Sequence, residues 1–200
     1  MSTCLVTGFD PFGGQNVNPS RECVFALPDR IGPVEIGKLE IPTVFGKAAE
    51  KVLAEAERLR PDMIVMVGQA GGRVFVTPEK VAINLRDASL PDNAGNRPRG
   101  VPVVPGGPDA YFTTLPVHEA LEKLQGLPVR LSLSAGSFVC NDVFYQVLHA
   151  MKPKNVPVGF VHIPFLPEQA GENTPCMEKE QALLCLTRYI GACAELLSLR

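Results

Sequence analysis

The sequence predicts an α/β fold: a single-domain α/β/α sandwich, spanning residues 1–200, with a largely parallel, twisted central sheet. Short apolar segments alternate with segments of helical periodicity, which is typical of layered folds with parallel strands. The chain has 200 residues, of which 46% are hydrophobic, so one domain can bury a sizeable core. No internal repeat or low-complexity tract interrupts this pattern.

The predicted strands are short runs of apolar and β-branched residues flanked by turn-forming residues. They are Thr3–Thr7, Val34–Ile41, Asp62–Val67, Lys80–Leu85, Val129–Leu133 and Val156–His162.

The predicted helices lie between these strands and are amphipathic. Asn18 followed by Pro19 suits an N-cap and first turn, so a helix is expected from there to Leu27. The others are Phe45–Leu59, Pro116–Leu124, Val139–Ala150 and Glu178–Leu197. The segment Ala88–Ala110 is rich in Pro, Gly, Asn and Asp and has little periodicity. A loop of this length is typically functional or mobile.

Composition argues against several classes of partner and cofactor. The formal net charge of -2 gives no electrostatic case for nucleic acid or an anionic membrane surface, and no apolar run is long enough to span a bilayer. The first residues do not have the pattern of a signal peptide, so we expect a cytoplasmic protein with reduced thiols. The 6 cysteines and 3 histidines lack metal-ligand spacing, and nucleotide-binding motifs are absent. We therefore expect neither a metal nor a cofactor.

Cys140 is the strongest candidate for a nucleophile. It follows the predicted strand Val129–Leu133 and a small-residue turn at Gly136, and it opens a predicted helix. Backbone N–H groups at a helix start carry partial positive charge, so we expect a lowered thiol pKa at this position. The same N–H groups can stabilise a developing oxyanion.

His162 is the histidine placed to act with Cys140. It ends an apolar strand, and functional groups gather at the carboxyl ends of strands in open α/β sheets. His118 is expected on the surface of a helix. His149 lies on the same helix as Cys140, about 13 Å away at about 1.5 Å per residue.

Glu79 is a candidate for the acid that orients the histidine, at the start of the predicted strand Lys80–Leu85, which it directly precedes. An ordinary edge carboxylate paired with Lys80 or Arg73 is the alternative interpretation.

The sequence resembles the pyroglutamyl peptidase type I (pyrrolidone-carboxylate peptidase) family over nearly its whole length. The resemblance rests on several separated motifs in order. They are Thr7–Gly14 with Asn18–Ser20, Gly68–Arg73, Pro78–Asn84, Pro91–Asn93, Tyr111–Pro116, Ser134–Asn141 and His162–Gln169.

The resemblance implies an α/β/α sandwich, commonly a homotetramer, that removes N-terminal pyroglutamyl residues from peptides. It implies a catalytic triad of Cys140, His162 and Glu79. It also implies a substrate pocket, with apolar walls and with amides that read the lactam. These pocket residues are Phe9, Phe12, Phe138 and Val139 for the walls, and Asn18 and Gln69 for the lactam. Without the family, core packing would be the favoured interpretation of Phe9 and Phe12.

One position departs from the family pattern. Ser89 stands where family members usually carry an arginine, and serine supplies neither the charge nor the guanidinium fork. Either a neighbour such as Arg86 compensates, or rate and pH profile differ from those of relatives. The alternative functions are a related cysteine amidase acting on another lactam or acyl-amide, and a catalytically silent binding homologue.

Overall fold

The computed structural model describes residues 2–199 and contains one large sheet and one small sheet. Its strands are β1 (Thr3–Phe9), β2 (Arg30–Ile31), β3 (Val34–Ile41), β4 (Met63–Gln69), β5 (Thr77–Pro78), β6 (Val81–Ile83), β7 (Ala110–Phe112) and β8 (Val158–Ile163). Its α-helices are α1 (Pro19–Ala26), α2 (Lys47–Leu59), α3 (Val117–Glu122), α4 (Val139–Met151) and α5 (Lys179–Leu196).

The large sheet has six strands in the order β2-β3-β1-β4-β8-β5. The four central strands run parallel, while β2 and β5 are short antiparallel strands at the two edges. Helices α1, α3 and α5 pack on one face, and α2 and α4 pack on the other. This arrangement confirms the predicted α/β class with its largely parallel sheet.

Strand β1 shows why the sheet lies inside the protein. Cys4 and Val6 belong to the core beneath α1 and α5, whereas Leu5 and Phe9 belong to the core beneath α2 and α4. A parallel strand buried on both faces needs apolar residues at successive positions, and this run has them.

The predicted helices are all present, with ends shifted by one or two residues. Helix α1 begins as expected from its cap, because the Asn18 Oδ1 accepts a hydrogen bond from the Ser20 N–H at 3.1 Å. Helix α2 begins two residues later than predicted, because Gly46 precedes it with a φ of 74°.

Two strand predictions were wrong in their extent. The segment Val129–Leu133 forms only isolated bridges at Val129 and Ser132, alongside β5. Pro78 in β5 has no N–H to donate, so a continuous ladder cannot form there. The predicted strand Lys80–Leu85 is reduced to β6, which leaves the large sheet and pairs with β7 instead.

The long segment Ala88–Ala110 is held by its own side chains. The buried Asp92 carboxylate accepts hydrogen bonds from the backbone N–H groups of Phe45, Ala94 and Asn96, at 2.8 to 3.0 Å. The Asn93 Nδ2 donates to the Pro11 carbonyl at 2.9 Å, which joins this segment to the loop after β1. The last residue of the segment begins β7, a strand that the sequence pattern missed.

The 6 cysteines are unpaired thiols, and Cys4, Cys23, Cys185 and Cys193 are buried. Within residues 2–199, no helix is both long and apolar enough to cross a bilayer.

We predict that Gly8→Ala destabilises the protein. A Cβ at Gly8 would lie 2.7 Å from the Ser20 carbonyl oxygen and 2.8 Å from the Arg21 Cα, so β1 and α1 would have to separate. Overpacking against backbone costs about 2 kcal/mol or more, measurable as a lower urea midpoint at an unchanged slope.

Gly191→Ala is the matched control for this prediction. Gly191 lies inside α5, and its added Cβ would meet only the Ile31 Cγ2, at 3.3 Å. Alanine is favoured over glycine in a helix by up to about 1 kcal/mol, so this variant should keep or gain stability. Equal effects of the two substitutions would contradict the proposed close approach at Gly8.

Candidate functional site

The site lies where β4 and β8 end. Gly68 of β4 and His162 of β8 are partners in the parallel register. The His162 ring lies 4.8 Å from the ring of Phe160, centroid to centroid, and Phe160 belongs to the core beneath α4. His162 therefore points to the face of the sheet that α4 covers.

Cys140 reaches the same place from the opposite side, as the second residue of α4. Its Sγ lies 3.0 Å from the position that a Cβ on Gly68 would occupy, and the Phe160 Cζ lies 2.8 Å from it. Any side chain at position 68 would displace the thiol or the ring. Because Gly68 has no side chain, the Cys140 sulfur can lie against β4 at the residue that pairs with His162 of β8.

Glu79 approaches from the edge of the sheet. It directly follows β5, where its N–H donates to the Phe160 carbonyl at 2.8 Å and it forms a bridge with Ser132. Its side chain is fully buried, and Oε1 lies 2.7 Å from the His162 Nδ1. The structure thus brings Cys140, His162 and Glu79 to one site.

The alternative interpretation of Glu79 is correct in part. Arg73 donates from Nη1 to the Glu79 Oε1 at 2.6 Å, so the carboxylate has a guanidinium partner as well as the imidazole. Lys80 instead places its ammonium over the ring of Phe112.

The charge on Glu79 determines the tautomer of its hydrogen-bond partner His162. Burial tends to raise the pKa of Glu79, but the hydrogen bonds from His162 and Arg73 bring that pKa below its usual value. An ionised carboxylate only accepts hydrogen bonds, so the proton must sit on Nδ1 of His162. The Nε2 lone pair is then free to take a proton.

Burial also lowers the pKa of His162, and the Arg73 charge adds to this effect, while Glu79 opposes it. The imidazole is therefore neutral near pH 7, which is the state that a general base requires.

The expected lowering of the Cys140 pKa was wrong. Burial raises the pKa of the Cys140 thiol to about 12, and the charge of Glu79 adds to the increase, while Arg73 opposes it. Desolvation of the thiolate outweighs the partial charge at the helix start. The resting site therefore holds a neutral thiol beside a neutral imidazole.

An aromatic cleft opens beside Phe138, the N-cap of α4, two residues before Cys140. The Phe138 ring contacts Phe12 at 5.1 Å and Phe45 at 5.3 Å between centroids. Phe12 and Phe138 line the cleft together with Asp87, Ser89, Leu90 and Ser137. Phe12 and Phe138 are only partly buried, as cleft walls must be. Phe45 was assigned to helix packing, and nothing in its helical spacing signals its contact with the cleft wall Phe138.

The remaining predicted pocket residues lie deeper or are engaged with neighbours. Phe9 is 2% exposed and packs in the core against Phe160, and Val139 is also buried. The Asn18 Nδ2 donates to the Asp10 carbonyl at 2.9 Å.

Gln69 lies at the end of β4, where its Oε1 accepts a hydrogen bond from the Gln169 Nε2 at 3.3 Å. Gln169 was not predicted as a site residue, although it closes the motif that begins at His162. That position in the motif is the only sequence signal for it.

Arg86, the neighbour that could compensate for the arginine missing at position 89, is bound to another acid. Its Nε donates to the buried Asp142 carboxylate at 2.6 Å, and its guanidinium lies over the Phe45 ring. Ser89 itself lies in the aromatic cleft.

The other histidines stay outside the site. His118 is exposed on α3, and the His149 Nδ1 is hydrogen-bonded to the Tyr111 hydroxyl at 2.8 Å. In the part of the chain from residue 2 to 199, no group of three or more His, Cys, Asp or Glu side chains could hold a metal ion.

Comparison with known proteins gives one family throughout. The family model described as pyroglutamyl peptidase matches residues 2–195. A pyrrolidone-carboxylate peptidase of Enterococcus faecalis is 52% identical over 169 residues, which cover 82% of this chain and 79% of the relative. One of Vibrio vulnificus is 47% identical over 199 residues, which cover 98% of this chain and 94% of the relative.

Solved structures agree with this result. The crystal structure of pyroglutamyl peptidase I from Bacillus amyloliquefaciens matches with a TM-score of 0.93 at 41% identity, covering 98% of each chain. A mutant pyrrolidone carboxyl peptidase from Pyrococcus furiosus matches with a TM-score of 0.92 at 38% identity, covering 98% of this chain and 99% of that one. The chain therefore belongs to the pyroglutamyl peptidase family.

Proposed function

We propose that this protein is a cysteine peptidase that removes an N-terminal pyroglutamyl residue from peptides, with Cys140, His162 and Glu79 as its catalytic residues. The observation that carries the proposal is the 2.7 Å contact between Glu79 Oε1 and His162 Nδ1, beside the thiol of Cys140. A silent binding homologue has no need for a buried carboxylate that orients an imidazole. The family relationship favours the pyroglutamyl substrate over other lactams and acyl-amides.

The proposed reaction begins from the neutral pair. His162 Nε2 takes the thiol proton as the Cys140 sulfur attacks the pyroglutamyl carbonyl, and Glu79 stabilises the imidazolium that forms. The imidazolium then protonates the leaving amine, the scissile C–N bond breaks, and a thioester remains. Water attacks the thioester with His162 as the base, which releases pyroglutamate and restores the thiol.

Two features of α4 assist this sequence of steps. Its first backbone N–H groups lie beside the sulfur and can donate to the oxyanion of the tetrahedral intermediate. Its N-cap, Phe138, is one wall of the aromatic cleft. The helix start therefore supplies the nucleophile and part of the substrate pocket together.

The cleft suits an uncharged five-membered lactam. Phe12 and Phe138 offer flat apolar surface, and we assign the reading of the lactam amide to Asn18 and Gln69, with Phe9 and Val139 as packing beneath the pocket. A site built to hydrogen-bond a substrate group rejects an analogue without it by about 10⁴-fold or more.

We also propose that the chain acts as one peptidase domain, as a homotetramer, in the cytoplasm. The unpaired thiols suit a reducing compartment. Large apolar side chains such as Phe112 (64% exposed) and Leu133 (70% exposed) suit burial between subunits.

Cys140→Ala should abolish hydrolysis of a pyroglutamyl arylamide, lowering kcat by about 10⁴-fold or more, because the acyl-enzyme cannot form. Cys176→Ala is the control, since Cys176 is an exposed thiol outside the site, and it should keep wild-type kinetics. Substantial turnover by a folded Cys140 variant would exclude Cys140 as the nucleophile.

Pyroglutamyl, prolyl and glutaminyl arylamides should separate the proposed function from a general amidase. Proline lacks the lactam oxygen, so kcat/KM for the prolyl compound should be about 10⁴-fold lower. Comparable rates for all three compounds would refute a lactam-reading pocket.

The rate at which iodoacetamide alkylates Cys140 in the free protein should keep rising between pH 7 and 9. The pKa of the Cys140 thiol is raised to about 12, and alkylation requires the thiolate, so the alkylation rate should increase about tenfold per pH unit. Mass spectrometry of the peptide that contains Cys140 separates it from the other thiols. A plateau near pH 7 would instead show a thiolate that is already formed at neutral pH.

A further inference from the structure

Arg73 joins the parts of the site that come from different segments. It lies in the loop after β4 and donates from Nη1 to the Glu79 Oε1 at 2.6 Å. Its Nη2 donates to the Ser134 carbonyl at 3.3 Å. One guanidinium thus contacts both the acid of the triad and the segment that leads to the nucleophile.

Arg73 and His162 share a single oxygen of Glu79. The His162 Nδ1 lies 2.7 Å from Oε1, the same atom that accepts from Arg73, whereas Oε2 is buried and accepts no hydrogen bond from the described residues. Because both donors use one acceptor atom, the guanidinium competes with a charged imidazole for the carboxylate.

The second contact of Arg73 lies on the turn before α4. The Ser134 Oγ accepts a hydrogen bond from the Gly136 N–H at 3.1 Å, and α4 begins at Val139. Holding the Ser134 carbonyl therefore restrains the turn that delivers Cys140 to the imidazole.

We propose that Arg73 is a positioning residue of the reaction: it holds His162 as a neutral base through their shared Glu79 oxygen, and it holds the turn that carries Cys140. The inference rests on the proposed function. After His162 has taken the thiol proton, the nearby guanidinium also makes the imidazolium a stronger acid, which favours delivery of that proton to the leaving amine.

The charged and titratable groups around His162 define the direction of the test. Glu79 faces it from the sheet edge and Arg73 from the loop after β4, while Cys140 of α4 lies against Gly68, the β4 partner of His162. Burial and Arg73 lower the pKa of His162, and Glu79 raises it. Removing the Arg73 charge should therefore raise this pKa, so the acid limb of kcat/KM should move to higher pH.

The experiment compares Arg73→Met, Arg73→Gln and Arg73→Lys by pH profiles of pyroglutamyl arylamide hydrolysis. Met and Gln should both move the acid limb upward, with a loss at pH 6 at least about threefold larger than at pH 8.5. Lys should leave the limb near its wild-type position because the charge remains. One ammonium cannot contact both Glu79 and Ser134, so kcat should fall at every pH.

Arg130→Met is the matched control. Arg130 is an exposed arginine on the neighbouring segment, stacked on the Phe75 ring at 3.9 Å, and it does not contact Glu79. It should leave the pH profile unchanged. An unmoved acid limb in folded Arg73→Met or Arg73→Gln protein would overturn the proposal.

A second readout separates this proposal from the proposed function. The His162 imidazole can be titrated by NMR in Cys140→Ser protein, with and without Arg73→Gln, and no substrate is needed. A higher His162 pKa in the double variant would support the role of Arg73, whether or not the wild-type protein hydrolyses pyroglutamyl substrates. Inactivity of the wild-type protein on those substrates would refute the proposed function alone. An unchanged His162 pKa overturns the role of Arg73.

Discussion

The site depends on how the buried negative charge of Glu79 is compensated. A carboxylate removed from water is costly unless it is paired, and Glu79 has two charged or chargeable partners on one oxygen. The imidazole partner links this charge to the chemistry, because an ionised Glu79 requires the proton on Nδ1 and leaves Nε2 available. The guanidinium partner keeps the carboxylate ionised while the imidazole stays neutral.

The same burial that protects this pair also changes the state of the proposed nucleophile. Cys140 lies at a helix start, which favours a thiolate, but its sulfur lies against Gly68 in a partly buried site near the charge of Glu79. Desolvation outweighs the helix start, and the thiol stays protonated at rest. A neutral thiol and a neutral imidazole avoid a buried ion pair at rest, so in the proposed reaction charge separates only as the carbonyl is attacked.

The edges of the large sheet explain where sequence patterns succeeded and failed. Strands β1, β4 and β8 are buried along nearly their whole length, so their apolar runs predicted them closely. Strand β3 is only partly buried, but its alternating pattern gave its bounds correctly. At the edge of the sheet next to β8, strand β5 contains Pro78. Hydrogen bonding between β5 and the segment Val129–Leu133 therefore stops after a few residues. The segment Val129–Leu133 has strand-like composition, but its partner cannot complete a ladder, and β6 leaves the large sheet altogether.

By itself, the sequence determined the α/β class, the helices, and the choice of Cys140 and His162, because hydrophobic periodicity and strand-end positions are local properties. The motifs added Glu79 and the family. Only the tertiary structure decided that Arg73 shares an oxygen of Glu79 with His162, that Arg86 is bound to Asp142, and that the Cys140 pKa is raised. Each of these depends on distances between segments far apart in the chain and on the depth of burial, and neither quantity is encoded in the spacing of residues.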